Sequence, residues 1–360
     1  MKSTHTNEPP LVTVITVCYN LLKNGRAGHF RQCLKSVSTQ DYPAIEHLVI
    51  DGASQDGTVE QLEQYARQGW IRYVSEPDTG IYDAMNKGIR LARGKYIAFL
   101  NSDDFWHRQD AVSASVAALE QKEAAFSYAP RTLVHTDGSF HCTEAAGLGV
   151  FPSLMPFCHQ TMFTRKDVLL RLGGFDNEHY RSAADYDLVF RILLSGEQGV
   201  YVPLNFTSFR LGGFSVTDDE LSGRECHFIR RRLLGKRAAA LLKRGQMDDN
   251  LMQRIQELVH PRVAMDILRC FSQDSPGMYC LTYGLTRHPV EALNSRVACG
   301  SKQAQYLLFG FLPLIRLKRK PSRTDFYLFG FIPLLRLRRK RNMLHFRALF
   351  VLPILVLQNR

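Results

Sequence analysis

The sequence predicts an α/β fold built on a mostly parallel, doubly wound sheet with helices on its faces. Three observations lead there. Strand patterns alternate with helix patterns through the N-terminal third of the chain, as successive crossover units require. One strand pattern, Tyr96 to Leu100, is apolar at every position, as expected of a strand buried on both faces. Each of the first strand patterns also stops abruptly at a polar loop.

Leu11 to Val17 is a Val/Thr/Ile-rich strand ending in Cys18-Tyr19-Asn20, and Gly25 to Gln40 follows with a helical apolar pattern at Phe30, Leu34 and Val37. His47 to Ile50 is the second strand, ending in Asp51-Gly52-Ala53-Ser54, and Thr58 to Arg67 reads as a helix. Ile71 to Val74 is the third strand, followed by Ser75-Glu76-Pro77-Asp78-Thr79-Gly80. Ile81 to Arg93 reads as a helix with Gly94 as its stop. The fourth strand then ends in Asn101-Ser102-Asp103-Asp104.

Right-handed crossovers place all these strand ends on one sheet edge, where open α/β sheets bind ligands. Asn101 to Asp104 by itself reads equally as a polar turn or as hard oxygen ligands for Mg²⁺ or Mn²⁺ carrying a diphosphate. Several acidic or amide loops converging on one edge favour a cleft. Neither a Gly-x-x-x-x-Gly-Lys loop nor a Gly-x-Gly-x-x-Gly fingerprint follows the first strand, which disfavours a P-loop ATPase and a dinucleotide dehydrogenase.

The chain has 360 residues, enough for one large α/β domain with extensions or for two domains. Its eight cysteines are scattered without a Cys-x-x-Cys pair, which argues against a zinc site or disulfide framework and for a reducing compartment. Met1 to Pro10 is polar, without the apolar core of a signal peptide, and no apolar run approaches the roughly 20 residues of a spanning helix. The net charge of +12 is local: residues 302–360 hold 13 Lys or Arg and one acid, Asp325, and the remainder is balanced. An overall-charge argument for nucleic-acid binding therefore does not hold.

The ordered set Val12 to Asn20, Ile50 to Thr58, Glu76 to Gly88 and Asn101 to Asp104 resembles glycosyltransferase family 2, over roughly residues 10–215. The resemblance implies a GT-A (Rossmann-like) fold, an inverting sugar transfer, a nucleotide-diphosphate sugar (commonly a UDP-sugar) and Mn²⁺ or Mg²⁺. By position, Thr16, Val17, Tyr19, Asn20 and Asp51 would hold the nucleotide base. Asp78, Gly80, Asn86 and Lys87 would lie along the nucleotide and diphosphate. Asn101 would sit on the donor side, Asp103 would face the ribose or sugar, and Asp104 would ligate the metal. Asn101 stands where the family's Asp-x-Asp motif has its first Asp, which shifts the expected metal contact toward Asp104.

Downstream, Ser182 to Ile192 reads as a helix ending near Gly196. Asp187 is spaced i,i+4 from Arg191, as in a surface ion pair. Asp185 heads the apolar stripe of Leu188, Val189, Ile192 and Leu193, an unusual place for a charge. It reads either as a capping acid or, from the family's Asp-Tyr-Asp-Leu segment, as the catalytic base. His159 and Gln160, in Phe157 to Phe163, and Arg210 and Ser215, in Phe209 to Ser215, are candidates for acceptor or loop contacts, against purely structural roles.

Residues 219–301 read as several helices without evident chemistry. The tail is an internal repeat: Leu308 to Lys320 returns 20 residues later as Leu328 to Lys340, with a degenerate third copy at Leu349 to Leu357. Each unit joins an apolar patch to a basic cluster. This suits an anionic membrane surface, against a β-hairpin extension with solvated charges. The expected organisation is a transferase domain (1–215), a helical extension (216–301) and a membrane-surface repeat (302–360). Nucleic acid is not an expected partner. The expected place is cytoplasmic, at the inner face of the plasma membrane, and the expected acceptor is a glycan or lipid-linked hydroxyl. A nucleotidyltransferase and a non-catalytic sugar-nucleotide-binding scaffold remain as other readings.

Overall fold

The computed structural model describes residues 8–144, 146–212, 219–243 and 248–265, and the strand segments 303–308, 312–320, 323–328, 332–340 and 343–348. Ser215 and the third repeat copy lie outside the described residues. The chain divides into two compact units, Met1–Pro276 and Gly277–Arg360.

The first unit is centred on a seven-stranded sheet. Four parallel strands form one side of it: β1 (Val12–Cys18), β2 (Ile45–Asp51), β3 (Arg72–Ser75) and β4 (Tyr96–Phe99), in the order β4-β1-β2-β3. A two-residue strand, β5 (Phe105–Trp106), follows the acidic loop, and β6 (Phe126–Tyr128), β7 (Arg131–Val134) and β8 (Phe140–Glu144) come next. Strand β9 (Phe163–Arg165) runs antiparallel between β4 and β6, and β10 (Gly199–Tyr201) closes the sheet parallel to β6. A second, four-stranded sheet has the order β5-β11-β7-β8, where β11 is Thr207–Arg210.

The period of two along β1 and β4, which are buried at every position, sends alternate residues to two cores. Val12, Val14, Tyr96 and Ala98 enter one core, and Ile15, Val17, Ile97 and Phe99 enter the core on the other face. The faces are covered by α1 (Ala27–Ser38), α2 (Thr58–Arg67), α3 (Ile81–Leu91), α4 (Ala111–Lys122), α5 (Lys166–Arg171) and α6 (Ala184–Leu194). Gly94 is not the expected helix stop, since α3 ends at Leu91. Gly94 lets two backbones meet instead: a Cβ there would stand 2.5 Å from the Thr13 nitrogen.

Among the described residues that follow in this unit are α7 (Asp219–Leu234), α8 (Lys236–Lys243) and α9 (Asp249–Leu258), and residues 266–301 lie outside the described residues. Ile229, Leu242 and Ile255 join the same core as Leu188 and Ile192 of α6. No helix among the described residues is long and apolar enough to cross a membrane.

The described residues of the second unit form a five-stranded antiparallel meander of β12 (Gln303–Leu308), β13 (Leu312–Lys320), β14 (Arg323–Leu328), β15 (Ile332–Lys340) and β16 (Met343–Ala348). Each of the first two repeat copies contains one long strand, β13 or β15, so the 20-residue period matches one strand pair.

Candidate active site

A cleft of about 710 Å³ opens at the carboxyl end of β1 and β4. It brings together Val17, Asn101, Asp103, Asp104, His159, Asp185 and Arg210 of the expected set.

The acidic loop is held from below and behind. Leu100 donates its N–H to Ile15 (3.0 Å) and accepts from the Thr16 hydroxyl (2.8 Å). The Asn101 N–H goes to the Gln160 carboxamide oxygen (3.0 Å), whereas the buried Asn101 Oδ1 has no protein partner. Asp104 is sealed, at 1% exposure, and its Oδ1 accepts the Arg210 backbone N–H at 2.6 Å. Burial and the adjacent Asp103 charge raise its carboxyl to about 7, against the opposing pull of the Arg210 N–H and the Gln160 amide. Asp103 is the more accessible of the two, and its Oδ2 lies 3.4 Å from Arg26 at the start of α1.

Arg210 braces this loop. It is 4% exposed. Its guanidinium donates to the carbonyls of Asp103 and Thr136 and to Gln32 Oε1 (2.9 Å), over the Phe105 ring. Gln160, fully buried, likewise braces the loop.

On the opposite wall, Asp185 stands in the first turn of α6. Its Oδ2 meets His159 Nδ1 at 3.0 Å, and its Oδ1 accepts the Tyr186 N–H at 2.8 Å. Tyr82 Oη is 3.4 Å from Oδ1 but 2.9 Å from the Ser182 carbonyl, and its single proton favours the shorter contact. Burial pushes the Asp185 carboxyl up. The His159 hydrogen bond and charge, with the Tyr186 N–H, overcome this and hold it below the ordinary carboxylate value. His159 Nε2 is buried and has no protein partner.

Asp185 is a first-turn acid of α6 that takes one of its N–H groups. Glu225 of α7 holds the segment leading into the helix, its carboxylate accepting the N–H groups of Arg181 (3.0 Å), Ser182 (2.9 Å) and Ala183 (2.8 Å). Asp187 also departs from expectation. It is fully buried and bridges Arg191 Nε and Arg232, each at 2.7 Å, instead of forming a surface pair.

The remaining expected donor residues lie on strand ends beside the cleft. Tyr19 is 59% exposed. It and Asp78 flank Gly52 so closely that a Cβ there would stand 2.6 Å from Asp78 Oδ2 and 3.2 Å from the Tyr19 ring. Asn20 takes a positive φ of 47° and Gly80 one of 135°. Asp51 is fully buried, with its oxygens taken by Ser54 and Ser75, so it builds the loop and presents nothing outward. Thr16 is buried between His47 and Leu100. The Asn86 amide is consumed by Phe175, accepting its N–H (2.8 Å) and donating to its carbonyl (2.7 Å). Lys87 reaches the Pro77 carbonyl and Glu76.

Sequence reasoning missed Arg26, Tyr82 and Glu225. Tyr82 falls in the Glu76 to Gly88 segment, a signal that could have found it. Arg26 and Glu225 carry none, because only folding brings them to the site.

The fold and the cleft define an α/β enzyme with acids on two facing walls. Residues 13–169 match the family model described as glycosyl transferase family 2. An uncharacterised glycosyltransferase of Mycobacterium tuberculosis is 34% identical over 198 residues, which cover 51% of this chain and 70% of that protein. A PGL/p-HBAD biosynthesis glycosyltransferase of Mycobacterium bovis is 31% identical, over 51% of this chain and 69% of that protein. The chain belongs to glycosyltransferase family 2 and is a glycosyltransferase. Among solved structures, S. aureus TarS 1–349 with UDP aligns at 16% identity and a TM-score of 0.48, over 77% of this chain and 75% of that one. The Pyrobaculum calidifontis mannosyltransferase PcManGT with GDP-Man and Mn²⁺ aligns at 20% identity and a TM-score of 0.46, over 80% and 78%.

Proposed function

We propose that the chain is an inverting glycosyltransferase that moves a sugar from a nucleotide-diphosphate sugar, a UDP-sugar in the first instance, to an acceptor hydroxyl, with Asp185 as general base. One observation carries this reading: Asp185 lies on the same cleft as Asp103 and Asp104, with its carboxylate held ionised by His159. His159 and the Tyr186 N–H use two of its acceptor sites, leaving lone pairs free to take the hydroxyl proton.

The acids suit a hard dication. No group of three His, Cys, Asp or Glu able to hold an ion occurs among the described residues. Carboxylate ligands completed by diphosphate oxygens and water are nevertheless the usual Mg²⁺ arrangement. The orphaned Asn101 Oδ1 adds a further oxygen at this corner. Asp103, rather than the sealed Asp104 favoured on sequence, would present its carboxylate, with Asp104 behind it. A bound Mn²⁺ or Mg²⁺ would supply charge neutralisation for the departing diphosphate. Tyr19, Gly52 and Asp78 would cradle the nucleotide base.

Together with Arg131, Glu144 and Arg230, the cleft lining also includes the apolar Leu154, Met155 and Phe157. That supports an acceptor with an apolar portion, such as a lipid-linked glycan in a polysaccharide pathway, used at the cytoplasmic face of the plasma membrane.

Asp185→Asn tests the reading. Transfer should fall about 10²- to 10⁴-fold, whereas calorimetric titration with UDP and Mn²⁺ should match wild type. Turnover at the wild-type rate would overturn it. A screen of UDP-, GDP- and dTDP-sugars for metal-dependent hydrolysis identifies the donor.

A further inference from the structure

The register of the C-terminal meander sorts its residues by chemistry. Cross-strand partners share a face, and neighbours along a strand alternate. Arg316, Lys318 and Lys320 of β13 fall on one face. Arg336, Arg338 and Lys340 of β15 fall on the same face, joined to the first three through the β14 pairs Lys318↔Asp325↔Arg336. Arg323 and Arg347 complete it. Eight of the ten Lys and Arg in the described strands therefore share a face that holds a single acid, Asp325. The other face is apolar: Leu317 pairs with Phe326, Phe326 with Leu335, and Leu337 with Phe346. The two exceptions are Arg319 and Arg339, equivalent positions of the repeat.

This sorting is not explained by the needs of the sheet alone. The register sets Arg323 opposite Arg338, Arg336 opposite Arg347 and Lys320 opposite Arg323. Like charges directly across a strand pair destabilise it. An extended anionic surface removes that repulsion, because each cation then faces negative charge.

We propose that the cationic face of the meander lies against an anionic lipid bilayer, with the apolar face turned away from it. Its geometry selects a plane. Alternate residues repeat about every 7 Å along a strand and strands lie about 5 Å apart, so the charges form a two-dimensional grid and not a track. Tyr327 is the one aromatic of Phe, Tyr or Trp type at the described positions of this face, too few for a base-stacking platform. The attraction is electrostatic and face-specific, in contrast to an amphipathic segment that inserts its apolar residues beside its cations.

The repeat provides its own control. Lys318→Gln with Arg338→Gln removes two charges from the cationic face, and Arg319→Gln with Arg339→Gln removes two from the other. The test is sedimentation of the full chain with phosphatidylcholine vesicles, with and without phosphatidylglycerol. Each cation at such a surface is worth about fivefold in binding, so the first pair should lower affinity for anionic vesicles about 25-fold. The second pair, set back by the thickness of the sheet in a field that decays over about 8–10 Å, should lower it about fourfold or less. Lys318→Arg with Arg338→Lys should bind as wild type. Equal losses from the two neutralising pairs would show a charged chain without a binding face. An unchanged first pair, a loss in the charge-keeping pair, or binding to heparin but not to anionic vesicles would each overturn the proposal.

Discussion

His159 and Asp185 form a half-buried hydrogen-bonded pair, Nδ1 to Oδ2 at 3.0 Å, between a short 3₁₀ turn (His159–Thr161) and the first turn of α6. The carboxylate can only accept, so it fixes Nδ1 as the protonated nitrogen. His159 thereby orients the proposed base and favours its ionised form. A hydrogen bond to a charged group contributes about 1.5–3 kcal/mol, so His159→Phe should lower kcat roughly 10- to 100-fold. The sign on pH follows. His159 holds the Asp185 carboxyl down, so its removal should move the acidic limb of the kcat profile to higher pH. Cys158, Cys226, Glu225 and Tyr82 also face this carboxyl and remain in the variant. His159→Asn, which keeps an N–H near the Nδ1 position, should recover part of the rate. An unmoved acidic limb in His159→Phe would count against the assignment.

Arg210 ties Asp103, Thr136 and Gln32 together with one guanidinium. Arg210→Ala should therefore loosen the Asp103–Asp104 loop although the backbone N–H to Asp104 survives. We expect Mn²⁺-dependent UDP affinity to fall about tenfold or more, read by calorimetry. Arg210→Lys should not restore it, since an ammonium lacks the planar fork. Full affinity in the alanine variant would show that the loop stands without its brace.

The strands were legible because burial on both faces writes itself as an unbroken apolar run, as in Tyr96 to Leu100. Their shared edge was legible because parallel connections leave no other choice. Asp185 lines the cleft, but its expected burial was wrong. Its place on the apolar stripe suggested burial, whereas Asp187 is the fully buried acid of the pair. Nothing local announces this, since Arg232 arrives from α7, 45 residues on. Glu225 and Arg26 were hidden for the same reason. The tie of the Asn86 amide to Phe175 was hidden likewise, because its partner lies 89 residues on.

The buried Asp187 gives a stability prediction. Arg232 bridges Asp187 and Asp176, each at 2.7 Å, and packs on the Tyr180 ring. Arg232→Ala leaves Asp187 with Arg191 alone. Removing one partner of a buried ion pair is strongly destabilising, and the surviving Arg191 reduces the cost to about 2 kcal/mol. Urea denaturation of the two proteins measures it. A loss below about 0.5 kcal/mol would mean that the bridge is not made in solution.

His47 lies under the acidic loop, its Nε2 3.0 Å from the Thr16 hydroxyl. That hydroxyl gives its proton to the Leu100 carbonyl at 2.8 Å, so Nε2 is the donor. Burial lowers its pKa to about 3. The unfolded chain takes up this proton near pH 6.5, and the folded chain does not until about pH 3. Between those values the unfolded state binds more protons, so the contribution is fully present above pH 6.5 and is lost as pH falls, by up to about 1.4 kcal/mol per pH unit. His47→Gln should remove that slope while the carboxylates keep theirs. Denaturant titrations at pH 7, 6 and 5 should thus give a shallower fall for the variant than for wild type. Parallel profiles would show that His47 protonates in place, and that the Thr16–Leu100 tie beneath Asn101 does not depend on a neutral ring.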